Sequence, residues 1–220
     1  MNEDRTNYIP ALRYQWLTGF YDTVMEGMMR ETEFKQALVR QARVVKDYQV
    51  LDLGCGTATL TLMIKQTHPE AKVTGLDGDP KALEIARDKI AKSGLTITLD
   101  EGMAFNLPYT DNSFDRIFSG LLFHHLTRED KERTLKEVYR VLRPGGELHV
   151  ADWGKASNAL MRLAFFLVQL LDGFKTTTDN VNGLLPDFFS KAGLQQVQEA
   201  ARYATVFGTM ALYKASKPAN

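Results

Sequence analysis

The chain has one cysteine, Cys55, so an internal disulfide and a cysteine-built zinc site are both excluded. It has no charge of one sign to spare: 27 basic and 27 acidic residues cancel, which removes a global attraction to nucleic acid or to an anionic membrane. It has no long apolar run either. The longest, Leu163 to Leu171, is interrupted by Gln169 and is about half of what a bilayer span needs. The opening Met1-Asn2-Glu3-Asp4-Arg5 is polar with no apolar core behind it, so no secretory leader is expected and the expected location is cytoplasmic. The four histidines and the carboxylates nowhere fall at metal-ligand spacing, and no metal is expected.

What is present is organised around Val50-Leu51-Asp52-Leu53-Gly54-Cys55-Gly56-Thr57-Ala58-Thr59-Leu60. A short apolar run suits a strand covered on both faces. Gly54 and Gly56 let the backbone turn sharply and approach a ligand, and Thr57 or Thr59 is placed to cap the helix that follows. A phosphate-binding P-loop is excluded, because no Gly-Lys-Ser/Thr follows. A dinucleotide turn expects a third glycine where Thr59 stands. An adenosyl ligand, with no pyrophosphate to cradle, is the remaining use.

Along the chain, residues 8–45 have helical spacing: Tyr14, Leu17, Phe20, Tyr21 and Val24, then Phe34, Leu38 and Val45. They can form a lid, with Tyr14 and Tyr21 as substrate candidates, or pack as core. Ala71 to Asp77 reads as a second strand ending in a carboxylate twenty-one residues beyond Gly56. That is close to the spacing of an acid that receives a ribose. Pro80 suits a helix start, and Asp79 either caps that helix or touches ligand. Leu95 to Leu99 and Phe114 to Ser119 read as strands three and four. His124 and His125 follow the fourth, where open α/β sheets collect ligands, and either can serve as a base or a hydrogen-bonding group. Residues 128–142 form a helix with Thr127 as its N-cap and its charges in solvent. Arg143-Pro144-Gly145-Gly146 ends it before a fifth strand, Glu147 to Asp152. Asp152 and Trp153, at the end of that strand, point toward a substrate volume. An apolar helix over 157–171, a polar loop over 172–182, a helix over 184–192 and a hairpin over 195–214 complete the reading.

Several of these lines resemble the class I S-adenosylmethionine-dependent methyltransferases. Asp52, Gly54 and Gly56 match D-x-G-x-G-x-G, with Ala58 at the last glycine. The stretch from Gly102 to Asp115 is similar to G-D-A-x-x-L-P-F-x-D-x-S-F-D of the small-molecule branch related to ubiquinone and menaquinone C-methyltransferases. Gly102, Ala104, Leu107, Pro108, Asp111, Ser113, Phe114 and Asp115 match it. Leu142 to Gly146 resembles the L-x-P-G-G turn of the same superfamily.

The resemblance implies a Rossmann-like α/β fold, a seven-stranded, mostly parallel sheet with helices on both faces and an antiparallel strand at one edge. One methyltransferase domain would fill residues 1–220: a helical lid over 1–45, a cofactor-binding core over 46–152, and substrate-side helices with a strand pair over 153–220. It implies S-adenosylmethionine as cofactor and S-adenosylhomocysteine as product. Asp52, Gly54 and Gly56 would meet the amino-acid end, Asp77 the ribose, and Met103 and Ala104 the adenine, with Cys55, Gly78 and Ser119 also among the cofactor-binding residues. Met103 stands where the family usually has an adenine-binding Asp, and a thioether is a poor acceptor. The expected partner is a small, apolar methyl acceptor, met by Tyr14, Tyr21 and Trp153, with His124 or His125 as base. No nucleic-acid partner and no stable membrane span are expected, and a homodimer is the expected assembly. The rival readings are a non-catalytic S-adenosylmethionine-binding protein and an NAD-dependent oxidoreductase.

Overall fold

The structure, a computed structural model, describes residues 30–219. Tyr14 and Tyr21 lie outside the described residues. The chain runs α1 (Glu31–Gln41), β1 (Gln49–Leu53), α2 (Thr59–Thr67), β2 (Lys72–Asp77), α3 (Pro80–Ser93), β3 (Thr98–Glu101) and β4 (Phe114–Gly120). A 3-10 turn (Phe123–His125) leads to α4 (Arg128–Val141) and β5 (Leu142–Trp153). Then come α5 (Ala159–Asp172), α6 (Phe174–Val181), α7 (Leu185–Lys191), β6 (Gln195–Thr205) and β7 (Gly208–Ser216).

The strands form one seven-stranded sheet in the order β3-β2-β1-β4-β5-β7-β6. The pairs among β1 to β5 are parallel, and β7 is antiparallel to both β5 and β6. This is the expected Rossmann-like architecture. The antiparallel strand lies one place in from the edge, which β6 occupies. Alternation along the strands builds a core on each face. Leu51 and Leu53, Ile117, Leu148 and Val150 pack with α4 and α7. Val50, Phe118, Ala151 and Trp153 pack with α1, α2 and α5 on the other side. The strand order reverses direction between β1 and β4, so the carboxyl ends of β2, β1 and β4 open a crevice there.

Several elements differ from the sequence reading. The third strand is Thr98–Glu101, where Asp77 pairs with Glu101, and not Leu95 to Leu99. The helix after the glycine turn is capped by neither Thr57 nor Thr59. Ala58 is its N-cap at φ 63, with no side-chain bond, and the Thr57 hydroxyl accepts from Lys89 Nζ at 2.9 Å. Phe34 and Leu38 of α1 are wholly buried in the second core, whereas Val45, beyond that helix, is exposed. The Arg143-Pro144-Gly145-Gly146 segment does not break away as a separate turn. It is a bulge inside β5, with Gly145 at φ +76 and Lys217 N donating to the Gly146 carbonyl at 2.9 Å. Residues expected as a polar loop over 172–182 instead form α6, whose Thr176, Thr177, Asp179 and Asn180 are buried. Lys131 of α4, expected in solvent, is wholly buried, with its Nζ donating to the Thr176 carbonyl at 2.5 Å.

Two other capping signals are found as read. Asp79 accepts from Lys81 N at 2.9 Å with Pro80 at the helix start, so its side chain caps α3. Thr127 Oγ1 accepts from Asp130 N at 3.2 Å at the start of α4.

Candidate functional site

The turn after β1 sits at the reversal of strand order. Gly54 N and Cys55 N both donate to the Leu76 carbonyl, at 2.8 and 3.0 Å, and tie the turn to the end of β2. Gly54 and Gly56 are glycines for different reasons. A Cβ on Gly54 would lie 2.9 Å from the Leu122 side chain, which closes over the turn from beyond β4. A Cβ on Gly56 would meet nothing within 4 Å, so that side of the turn faces open space. Both have positive φ, +73 and +53.

Asp52 is wholly buried behind this turn. Thr61 Oγ1 donates to its Oδ2 at 2.7 Å, while Oδ1 is buried with no hydrogen-bond partner. Burial pushes its carboxyl up to about 6, against the smaller pull of the Thr61 bond and of the Lys35 ammonium. A buried, half-satisfied carboxylate beside an open glycine turn fits a cationic group such as the α-ammonium of S-adenosylmethionine. Asp77, at the end of β2, accepts from Gly56 N at 2.7 Å and from Asp79 N at 2.8 Å. Burial raises its carboxyl and these amide bonds pull against that rise. Each oxygen retains a lone pair, which suits a pair of vicinal ribose hydroxyls.

The other expected cofactor residues fall around these two. Met103 packs over Gly78, where a Cβ would be 2.8 Å from its sulfur. Those two residues are therefore neighbours, and a Cβ there would displace the thioether. The Ala104 methyl is buried in the first core, which leaves only its backbone to meet a ligand. Cys55 is buried, with its sulfur 3.0 Å from where a Gly75 Cβ would stand, and burial pushes its thiol far above the ordinary range. It packs against β2. Ser119 Oγ donates to the Leu53 carbonyl at 3.1 Å and pins β4 to β1.

The His pair is held by Asp152, which is wholly buried at the carboxyl end of β5. Asp152 Oδ2 accepts from Phe123 N at 2.7 Å and its Oδ1 from His124 Nδ1 at 2.9 Å, Trp153 N at 2.7 Å and Asn180 Nδ2 at 3.0 Å. Burial alone would raise this carboxyl, but His124 and the donors around it hold it below the usual range. Asp152 is thus an acceptor, and a proton on His124 Nδ1 faces its Oδ1.

Sequence reasoning took Asp152 for a residue pointing into a substrate volume. Its donors instead surround it, and it orients His124. Trp153 is buried too, edge-on to His124 and to Phe165, so it backs the histidine. His125 differs from its neighbour. Its Nδ1 is buried without a partner, and burial followed by the nearby His124 lowers its imidazole to about 3. It stays neutral and is a feeble base at neutral pH. Lys131 and Asn180 were missed by the sequence reading. Neither matches a motif, and both stand in segments whose polarity reads as solvent.

The seven-stranded sheet with its reversal at β1 and antiparallel β7, together with the glycine turn and the carboxylate ending β2, agrees with the class I S-adenosylmethionine-dependent methyltransferases. Residues 50–146 match the methyltransferase domain family. The chain belongs to that class, in the branch resembling quinone methyltransferases. It is 35% identical over 140 residues to the demethylmenaquinone methyltransferase of Listeria monocytogenes, covering 59% of this chain and 58% of that protein. To the enzyme of the same name from Symbiobacterium thermophilum it is 32% identical over 170 residues, 75% of this chain and 66% of that one. The chain thus spans less than two thirds of the length of these curated relatives. Its fold superposes with a TM-score of 0.69 on a phosphoethanolamine N-methyltransferase of Haemonchus contortus, solved with phosphomonomethylethanolamine and S-adenosylhomocysteine. That match has 15% identity over 84% of this chain and 52% of that one. Among the described residues no helix is long and apolar enough to cross a membrane.

Proposed function

We propose that the protein transfers the methyl group of S-adenosylmethionine to a small, apolar acceptor that carries an ionisable O–H or an activated C–H. The observation that supports this reading is the buried Asp152–His124 pair, set beyond the same strand ends as the glycine turn. An amine acceptor arriving neutral needs no base, whereas a phenol, enol or carbon acid does.

When bound, S-adenosylmethionine supplies an electrophilic methyl carbon on a sulfonium. The chain's own part is to bind, orient and exclude water. The turn at Gly54 and Gly56 admits the amino-acid end, and Asp52 Oδ1 receives its ammonium. Asp77 holds the ribose hydroxyls, and Met103 lies against the adenine, with backbone groups of Met103 and Ala104 as its polar partners. Leu122 packs on Gly54 two residues before His124, which couples the cofactor turn to the base. His124 Nε2 takes the acceptor's proton, and Asp152 stabilises the imidazolium that forms.

Calorimetric titration with S-adenosylmethionine, S-adenosylhomocysteine and NADH tests the cofactor. Both adenosyl ligands are expected to bind the parent protein, and Asp77→Ala is expected to lose them by at least about tenfold, as for a lost charge-assisted hydrogen bond. Binding of NADH in their place would refute the reading. Turnover with phenolic and enolic acceptors then separates an enzyme from a protein that only holds the cofactor.

A further inference from the structure

Helix α6 turns polar residues inward. Thr176, Thr177, Asp179 and Asn180 are buried beside Val181, while Phe174, Lys175 and Thr178 are exposed. That inward polar face is anchored on two sides. On one, Lys131 Nζ reaches the Thr176 carbonyl and lies 3.7 Å from Asp179, which Arg128 also engages. On the other, Asn180 Nδ2 donates to Asp152 Oδ1 at 3.0 Å, the oxygen that accepts from the His124 ring.

The amide orientation follows from the chemistry: Asp152 is a carboxylate, so the NH2 end of Asn180 faces it. The other end is a liability. Asn180 Oδ1 is buried with no hydrogen-bond partner, an arrangement that destabilises a fold. A helix needed only as a lid would be more stable with an apolar residue here.

We propose that Asn180 is a positioning residue for the Asp152–His124 pair, and that α6 is therefore part of the proton-transfer machinery and more than a cover. This rests on the reading of His124 as the base. The Asn180 amide, with Trp153 N and the His124 ring, saturates one carboxylate oxygen. That fixes the direction of Asp152 and limits how strongly it draws positive charge onto the imidazole. Among the described residues, the titratable groups acting on Asp152 or His124 include His125 on the same turn, Lys131 from α4 and Tyr213 from β7, while Arg128 and Asp179 pair with each other beside Lys131. None of them donates a hydrogen bond to Asp152 Oδ1. Among the described groups, Asn180 is the side chain that does so besides His124.

The chain has four histidines, few enough for nitrogen-detected imidazole titrations by NMR on the full-length protein. His124→Gln assigns the signal. Asn180→Leu removes the donor at similar volume, and Asn180→Ser retains a donor. The titration midpoint of His124 is expected to rise by about one pH unit in Asn180→Leu, because an oxygen that loses a donor attracts the imidazolium more strongly. The Ser variant is expected to restore most of the difference, and the His68 and His149 signals are expected to stay in place. Should Asn180→Leu fail to fold, Asn180→Ala takes its place. An unmoved His124 midpoint would overturn the proposal, as would a uniform movement of all four signals, which marks a structural role alone. The readout needs no acceptor. A failure here with S-adenosylmethionine binding intact removes Asn180, whereas loss of cofactor binding in the parent protein removes the methyl-transfer reading.

Discussion

Gly54, Gly56 and Ala58 stand at alternate positions of one turn, all with positive φ, at 73, 53 and 63°. Ala58 shows that this backbone carries a Cβ in the left-handed region, at a strain of about 1 kcal/mol. Conformation alone therefore does not require glycine at Gly56, and the open space beside it does not either. The ligand does. Gly56→Ala is expected to fold with a loss of about 1 kcal/mol in urea denaturation, and to lose binding of S-adenosylhomocysteine in calorimetry. Gly54→Ala, whose Cβ would press on Leu122, is expected to lose clearly more stability together with binding. Equal destabilisation of the two, with ligand binding retained at Gly56→Ala, would remove the assignment of that side of the turn to the cofactor.

At the scale of elements, what could be read from sequence followed local signals. Asp79-Pro80 and Thr127 announce α3 and α4 because capping is a contact between a side chain and the next few amides. The glycine turn and the apolar runs of β1, β4 and β5 were legible for the same reason. Helix α6 was not, since Thr, Asp and Asn in a row read as solvent-loving loop, and their partners Lys131, Gln169 and Asp152 come from three other elements. The third strand slid by a few residues because Thr98 to Glu101 is only half-buried, with little alternation to mark it. In the site, the carboxylates at strand ends were legible and their roles were not: the five donor groups around Asp152 converge only after folding. The Lys131 contact gives α6 a measurable weight. Burial lowers the Lys131 ammonium, and Asp179 pulls the other way. Lys131→Met is expected to lower stability to urea by about 2 kcal/mol, as for a buried charge left without a partner. Binding of S-adenosylhomocysteine should be unchanged, since Lys131 lies on the α6 side of the site and away from the glycine turn. A variant as stable as the parent would show that Arg128 alone suffices for Asp179.

For the whole molecule, the site sets two buried carboxylates against each other. Asp152 is held low by its donors, so its contribution is present above the ordinary carboxylate range and is lost as pH falls through its lowered folded value. Asp52 has the opposite sign. Its folded value is raised from 3.8 to about 6, so its contribution is complete below the unfolded value and is lost as pH rises through about 6. The free protein at neutral pH therefore carries an ionised carboxylate that is buried with one oxygen unpaired, a burden with an upper bound on the order of 3 kcal/mol. That burden has a use if a cationic ligand removes it on binding, and stability traded for a ligand site is a common arrangement. Asp52→Asn, which keeps the Thr61 contact and cannot ionise, is expected to melt with the parent near pH 4 and several degrees above it at pH 7.5. S-adenosylhomocysteine at saturating concentration should then raise the melting temperature of the parent and leave Asp52→Asn where it was. A variant less stable than the parent at pH 7.5 would mean that Asp52 serves the fold, and its unpaired oxygen would need another explanation than the cofactor's ammonium.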